Sequence, residues 1–156
     1  MTDDNRETLV RLMKDFRFAM LTTVESDGSL VAHPLTVQET EFDGDLWFVL
    51  SKESTAAANL ARDAEAGISL SSNSAWVSLS GIARFVEDRA KLEEVWNPAL
   101  EAWFPDGIDN PAVGLLKFSA VGAEYWHSPG GVIVRAVALL RGKPSAGSEN
   151  ETVELS

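Results

Sequence analysis

A small antiparallel β-barrel carrying a few peripheral helices, mainly β within the α+β class, is the fold this sequence predicts. Six or seven short runs rich in β-branched and aromatic residues are separated by turn chemistry, most sharply at Asp27-Gly28 and Asp43-Gly44. Few stretches carry a helical spacing. Hydrophobic residues make up 45% and charged residues 24% of the 156, a globular composition at the length of one domain.

The elements follow in order. Leu9, Leu12, Met13 and Phe16 recur at three-and-four spacing, so residues 3–16 read as a helix that Thr2 or Asp3 caps. Residues 18–24 and 30–38 read as a hairpin around Asp27-Gly28. Pro34 sits inside the second strand and has no N–H for a ladder, so that strand belongs at an edge or a bulge. Residues 45–51 are a third strand. Ser54 then caps an alanine-rich helix to Arg62. Residues 66–72 and 76–87 are strands joined through a Ser-Asn-Ser turn. Residues 88–103 are helical, and Pro98 divides them into two short helices. Residues 113–127 and 132–140 are the last strands, with Ser128-Pro129-Gly130-Gly131 between them. Residues 143–156 are polar and acidic and read as a disordered tail, which leaves 1–142 as the folded domain. Neighbouring strands on short turns pair antiparallel, and this many strands with so few helices close into a small barrel.

The net charge of −11 argues against nucleic acid and anionic membrane surfaces as partners. It also means that a phosphate-bearing ligand needs its own pocket of cations or backbone N–H groups. The absence of cysteine removes disulfides, zinc–thiolate sites and thiol catalysis, and fits a reducing compartment. The start of the chain is acidic and polar rather than signal-like, and no apolar run nears the roughly 20 residues that span a bilayer. A cytoplasmic location is expected.

Motifs of familiar catalysts are missing. The glycine clusters at Gly107 and at Gly130-Gly131 match no phosphate-binding loop, no G-x-S-x-G elbow occurs, and His33 and His127 have no metal-ligand spacing. No residue stands out as a catalytic acid or base, and no metal site is expected. The unusual feature is five tryptophans at 47, 76, 96, 103 and 126, suited to core packing, to a dimer seam or to stacking on a flat ring.

Four stretches carry a resemblance. They are Leu21-Thr22-Thr23 through Asp27-Gly28 to Ala32-His33-Pro34-Leu35; Phe42-Asp43-Gly44-Asp45-Leu46-Trp47-Phe48 with the helix after it; and Val77-Ser78-Leu79-Ser80-Gly81-Ile82-Ala83 followed by Asp88. The fourth joins Val95-Trp96-Asn97-Pro98, Trp103-Phe104-Pro105-Asp106-Gly107 and Glu124-Tyr125-Trp126. In this order, over roughly residues 16–127, the chain resembles the pyridoxamine 5′-phosphate oxidase-like flavoproteins, and within them the bacterial general stress protein 26 group.

The resemblance implies a six-stranded antiparallel split β-barrel that works as a homodimer, with FMN at each end of the dimer interface, and an oxidoreductase activity. It implies that the flavin ring lies against His33, Pro34 and Leu35 and against Trp47, Val49 and Leu50, with Trp103 or Trp126 of the other subunit closing the pocket. The phosphate positions depart from the family. Its arginine before the strand proline is His33 here, its strand-end hydroxyl falls at Leu50 and Ser51, and its helix lysine is Ala56. Lys52, Arg62 and the N–H groups of the helix that Ser54 caps are the available substitutes. The resemblance therefore implies FMN on a weakened phosphate site. Two alternatives stay open: the same fold with the deazaflavin F420, whose acidic tail demands a basic groove, and a cofactor-free dimer that acts as a binding or structural protein.

Overall fold

Side chains alternate between inside and outside along residues 18–24 and 75–80, and the inward ones meet in the main core. The computed structural model describes residues 3–38, 42–128, 131–140 and 152–155. In chain order the elements are α1 (Asp3–Met13), β1 (Phe18–Val24), β2 (Leu30–Thr36), β3 (Asp45–Ser51), α2 (Thr55–Arg62), β4 (Glu65–Ser71), β5 (Ala75–Val86) and α3 (Arg89–Val95). A 3-10 turn (Pro98–Ala102), β6 (Val113–His127), β7 (Ile133–Leu139) and β8 (Thr152–Leu155) complete it.

All pairings are antiparallel, in the order β2-β1-β4-β5-β6-β7-β8, with β3 also on β6. The long β6 is the spine. One edge bonds β5; the other bonds β3 over Val113–Ser119 and β7 over Gly122–His127. Leu21 of β1, Phe48 of β3, Ile68 of β4, Leu79 of β5 and Phe118 of β6 all join one buried cluster, so the sheet curls around it. Strands β1–β6 make the antiparallel split barrel, and β7 and β8 extend its sheet. The split lies between β2 and β3: among the described residues β2 bonds only β1 and β3 bonds only β6. Pro34 thus sits on an edge strand, where its missing N–H costs no ladder bond.

A bulge keeps β6 facing the core along its length. Ser80 pairs with Gly122 and Gly81 with Ala120, which leaves Val121 as the extra residue. Inward positions run 116, 118, 120 before it and 123, 125 after it. A Cβ on Gly81 would lie 2.1 Å from the Ser119 carbonyl oxygen, so only glycine permits this close approach.

Three expectations shift. Helix α1 stops at Met13 rather than residue 16, because Lys14 and Asp15 bond back three residues to Arg11 and Leu12 and tighten the last turn; Phe16 still reaches the core from the loop. The second strand ends at Thr36, not 38. The tail expected at 143–156 lies outside the described residues except for 152–155, which form a strand on β7 rather than free chain. No helix among the described residues is long and apolar enough to cross a membrane.

Candidate functional site

The split opens into a cleft of about 360 Å³, within the range of small-molecule sites. Pro34, Leu35 and Thr36 of β2 form one wall and Val49, Leu50 and Ser51 of β3 the other. Phe18 stands at one side, and the segment after α3 contributes Leu100, Trp103 and Phe104.

Local sequence explains how that segment reaches the cleft. Pro98 cannot continue α3, and Asn97 caps the 3-10 turn by accepting a bond from the Ala99 N–H at 3.0 Å. The Asn97 amide also donates to Gln38 Oε1 at 3.1 Å, tying the turn to the end of β2. Gln38 in turn donates to the Thr36 carbonyl at 3.3 Å. Leu100 and Phe104 are buried in a second apolar cluster with Val49, Val95, Val113 and Leu115, which anchors the turn on the outer face of β3 and β6. Trp103 is left 79% exposed beside the cleft, its N–H bonded back to Leu100.

The structure sorts the residues expected at a ligand site. Pro34, Leu35, Val49, Leu50 and Ser51 come together, and Trp103 joins them from the same chain, where it was expected from the other subunit. Trp47 does not: it shares the outer face of β3 with Val49 but stands two residues further back along the strand, with the Lys91 and Lys117 ammonium groups 5.0 and 5.4 Å from its centroid. Trp126 lies near the far end of β6, between Trp76 and Arg135 in register, and is not part of the cleft wall. His33 is absent from the wall as well, and its Nε2 is buried without a hydrogen-bond partner. Ala56 packs into the barrel core at 3% exposure, so a lysine there would be driven inward. Lys52 lines a separate, smaller cleft on the α3 side and reaches Glu87 at 3.7 Å. Ser54 caps α2, accepting from the Ala57 N–H at 3.1 Å.

Phe18, Thr36, Gln38, Leu100 and Phe104 were not anticipated. The signal for Phe18 is in β1: Ala19, Leu21 and Thr23 are buried, so Phe18 and Met20 must face out. Nothing local marks Gln38, whose role depends on Asn97 59 positions later.

The lining suits a flat, apolar ring with a few polar edges. Its hydrophobic walls can sandwich the ring, and Thr36, Gln38 and Ser51 offer hydrogen-bonding groups. It does not suit a phosphate, since among the described residues no lysine, arginine or histidine lines it. Among the described residues no group of three or more His, Asp or Glu side chains is placed to hold a metal ion.

Comparison with known proteins agrees with this architecture. Protein bli-3 of Neurospora crassa is 31% identical over 159 residues, covering 92% of this chain and 76% of that protein. A general stress FMN/FAD binding protein from Xanthomonas citri is 27% identical with a TM-score of 0.67, covering 95% of this chain and 97% of that one. A structure from Xanthomonas campestris pv. campestris, named for the general stress family, is 28% identical with a TM-score of 0.69, covering 94% and 99%. The family model "Pyridoxamine 5′-phosphate oxidase like" matches residues 4–148, and the chain therefore belongs to the pyridoxamine 5′-phosphate oxidase-like family.

Proposed function

We propose that this chain is a flavin-binding protein of the general stress protein 26 type, working in the cytoplasm as a homodimer and holding the isoalloxazine ring in the cleft between β2 and β3. The observation that carries the reading is the cleft: two strand edges left unpaired, apolar walls, and a tryptophan standing beside them. The name of the Xanthomonas citri relative, an FMN/FAD binding protein, supports the ligand class. Phe18, Met20 and Trp103 are 67%, 40% and 79% exposed, and apolar exposure of this kind suits a second copy of the chain. The absence of cysteine suits the compartment.

A bound flavin supplies electron or hydride transfer, which would make the protein an oxidoreductase. This chain's own residues contribute binding and exclusion of water. Val49, Leu50 and Leu35 cover ring surface, and Thr36, Gln38 and Ser51 meet its polar edge.

Flavin titration tests the reading. Flavin fluorescence is expected to be quenched on adding the protein. Trp103→Ala should weaken binding roughly threefold to tenfold, the usual worth of one aromatic contact. A titration in which neither FMN nor riboflavin fluorescence changes would overturn the assignment and leave a cofactor-free binding protein.

A further inference from the structure

We infer that the cleft selects a flat aromatic ring without a phosphate, so that riboflavin is held at least as tightly as FMN. This rests on the cleft being a flavin site and concerns which flavin it takes. Among the described residues its hydrogen-bonding side chains on β2 and β3 and just after them are Thr36, Gln38 and Ser51, all uncharged. Lys52 and Arg17 adjoin lining residues in sequence, but neither lines the cleft, and Lys52 is drawn toward Glu87. A phosphate dianion placed here meets no cation of this chain among the described residues.

Backbone donors replace the missing charge only in part. The turn from Ser51 into α2 is where N–H groups could cradle an anion, and most of its N–H groups, those of Thr55 and Ala56 excepted, are bonded internally. The Lys52 N–H bonds the Ala112 carbonyl, and the Ser54 N–H bonds the Ser51 carbonyl. The Glu53 N–H bonds Ser51 Oγ, the Ala57 N–H bonds Ser54 Oγ, and the Ala58 N–H bonds the Ser54 carbonyl. The chain's net charge of −11 adds a repulsive field for any dianion. A phosphate would thus lose its water shell without gaining a cation partner, while the ring of a neutral flavin gains the same apolar contacts.

The test compares riboflavin and FMN on the full chain by fluorescence quenching at two salt concentrations. Riboflavin is expected to bind as tightly as FMN or more so. Only FMN affinity should rise with added salt, as repulsion is screened. Thr36→Lys, which places a cation on the exposed edge of the cleft wall, should raise FMN affinity relative to riboflavin about tenfold. FMN bound more than threefold tighter than riboflavin by the parent overturns the inference while the flavin site stands. A ratio of FMN to riboflavin affinity unchanged by Thr36→Lys overturns the assignment of the preference to missing charge. Silence with both flavins instead overturns the proposed function.

Discussion

Thr23 and Asn59 are almost completely buried, and each is tolerated because it answers the other. Asn59 Nδ2 donates to Thr23 Oγ1 at 3.0 Å, and Arg62 Nη2 donates both to Asn59 Oδ1 at 2.9 Å and to the Val24 carbonyl at 3.3 Å. The relay fastens α2 to β1. Asn59→Ala leaves the buried Thr23 hydroxyl without its donor and Arg62 with only the Val24 carbonyl, and should lower unfolding free energy by about 1–3 kcal/mol in a urea titration. Gly81→Ala should cost about 1–3 kcal/mol by the same measurement, because the backbone atom it meets cannot rotate away. A stability equal to the parent's would mean that the bulge can shift. Residue fates of this kind were only partly legible in the sequence. Trp-Phe occurs twice, at Trp47-Phe48 and Trp103-Phe104, with opposite placements of the tryptophan. In β3 the pair straddles the sheet, Phe48 in the barrel and Trp47 under α3. After the 3-10 turn Phe104 is buried and Trp103 is left outside. Composition alone could not assign Trp103 to the cleft and Trp47 elsewhere; the tertiary path of α3 decides it.

At the scale of elements, apolar β-branched runs bounded by turn residues located β1, β3 and β6 to their observed ends, and in β1 the period-2 alternation also gave the buried face. The bulge at Val121 was not legible, since its only trace is a change of parity between residues 120 and 123. The tie between Gln38 and Asn97 was equally hidden, being a contact between distant elements. Asn97→Ala removes both the cap and the tie. It should cost about 0.5–2 kcal/mol and weaken flavin quenching, as the Trp103 segment loses its anchor to β2. Helix α1 and β6 meet at a titrating group. Burial, and then the charge of Arg11, push the His127 pKa below its ordinary value. Its ring also lies 5.8 Å from that of Tyr125, whose own pKa burial raises further from this range. The unfolded chain therefore takes up a proton at His127 at a higher pH than the folded one does. The stability linked to neutral His127 is complete above the unfolded value near 6.5 and is lost as pH falls toward the lowered folded value. The midpoint of thermal unfolding should drop between pH 7.5 and 5.5, and the slope should flatten in His127→Gln. An unchanged slope in the variant would assign the drop to other groups.

At the scale of the whole molecule, an open split with exposed aromatic residues around it is an unfinished surface. In β1, Phe18 and Met20 face outward, and Met20 stands in register with Pro34 of β2, whose Thr36 pairs with Phe18. Phe18 also stands at the cleft with Trp103, so ligand site and apolar patch are continuous. A second copy laid over this patch would remove apolar area from water and close the cleft from outside, which couples dimerisation to ligand binding. Sedimentation should give twice the chain mass of 16.9 kDa, and added flavin should shift association toward the dimer. Because each copy carries −11, raising salt should strengthen rather than weaken the pair. Phe18→Asp with Trp103→Asp should sediment at the single-chain mass while keeping the parent's β-rich circular dichroism, because both side chains point away from the barrel core. If the parent itself sediments as a monomer at micromolar concentration, with flavin still quenched, the dimer reading fails and the cleft is a single-chain site. The barrel core needs no partner to be complete, and that is why the two readings can be separated by mass and by quenching on the same sample.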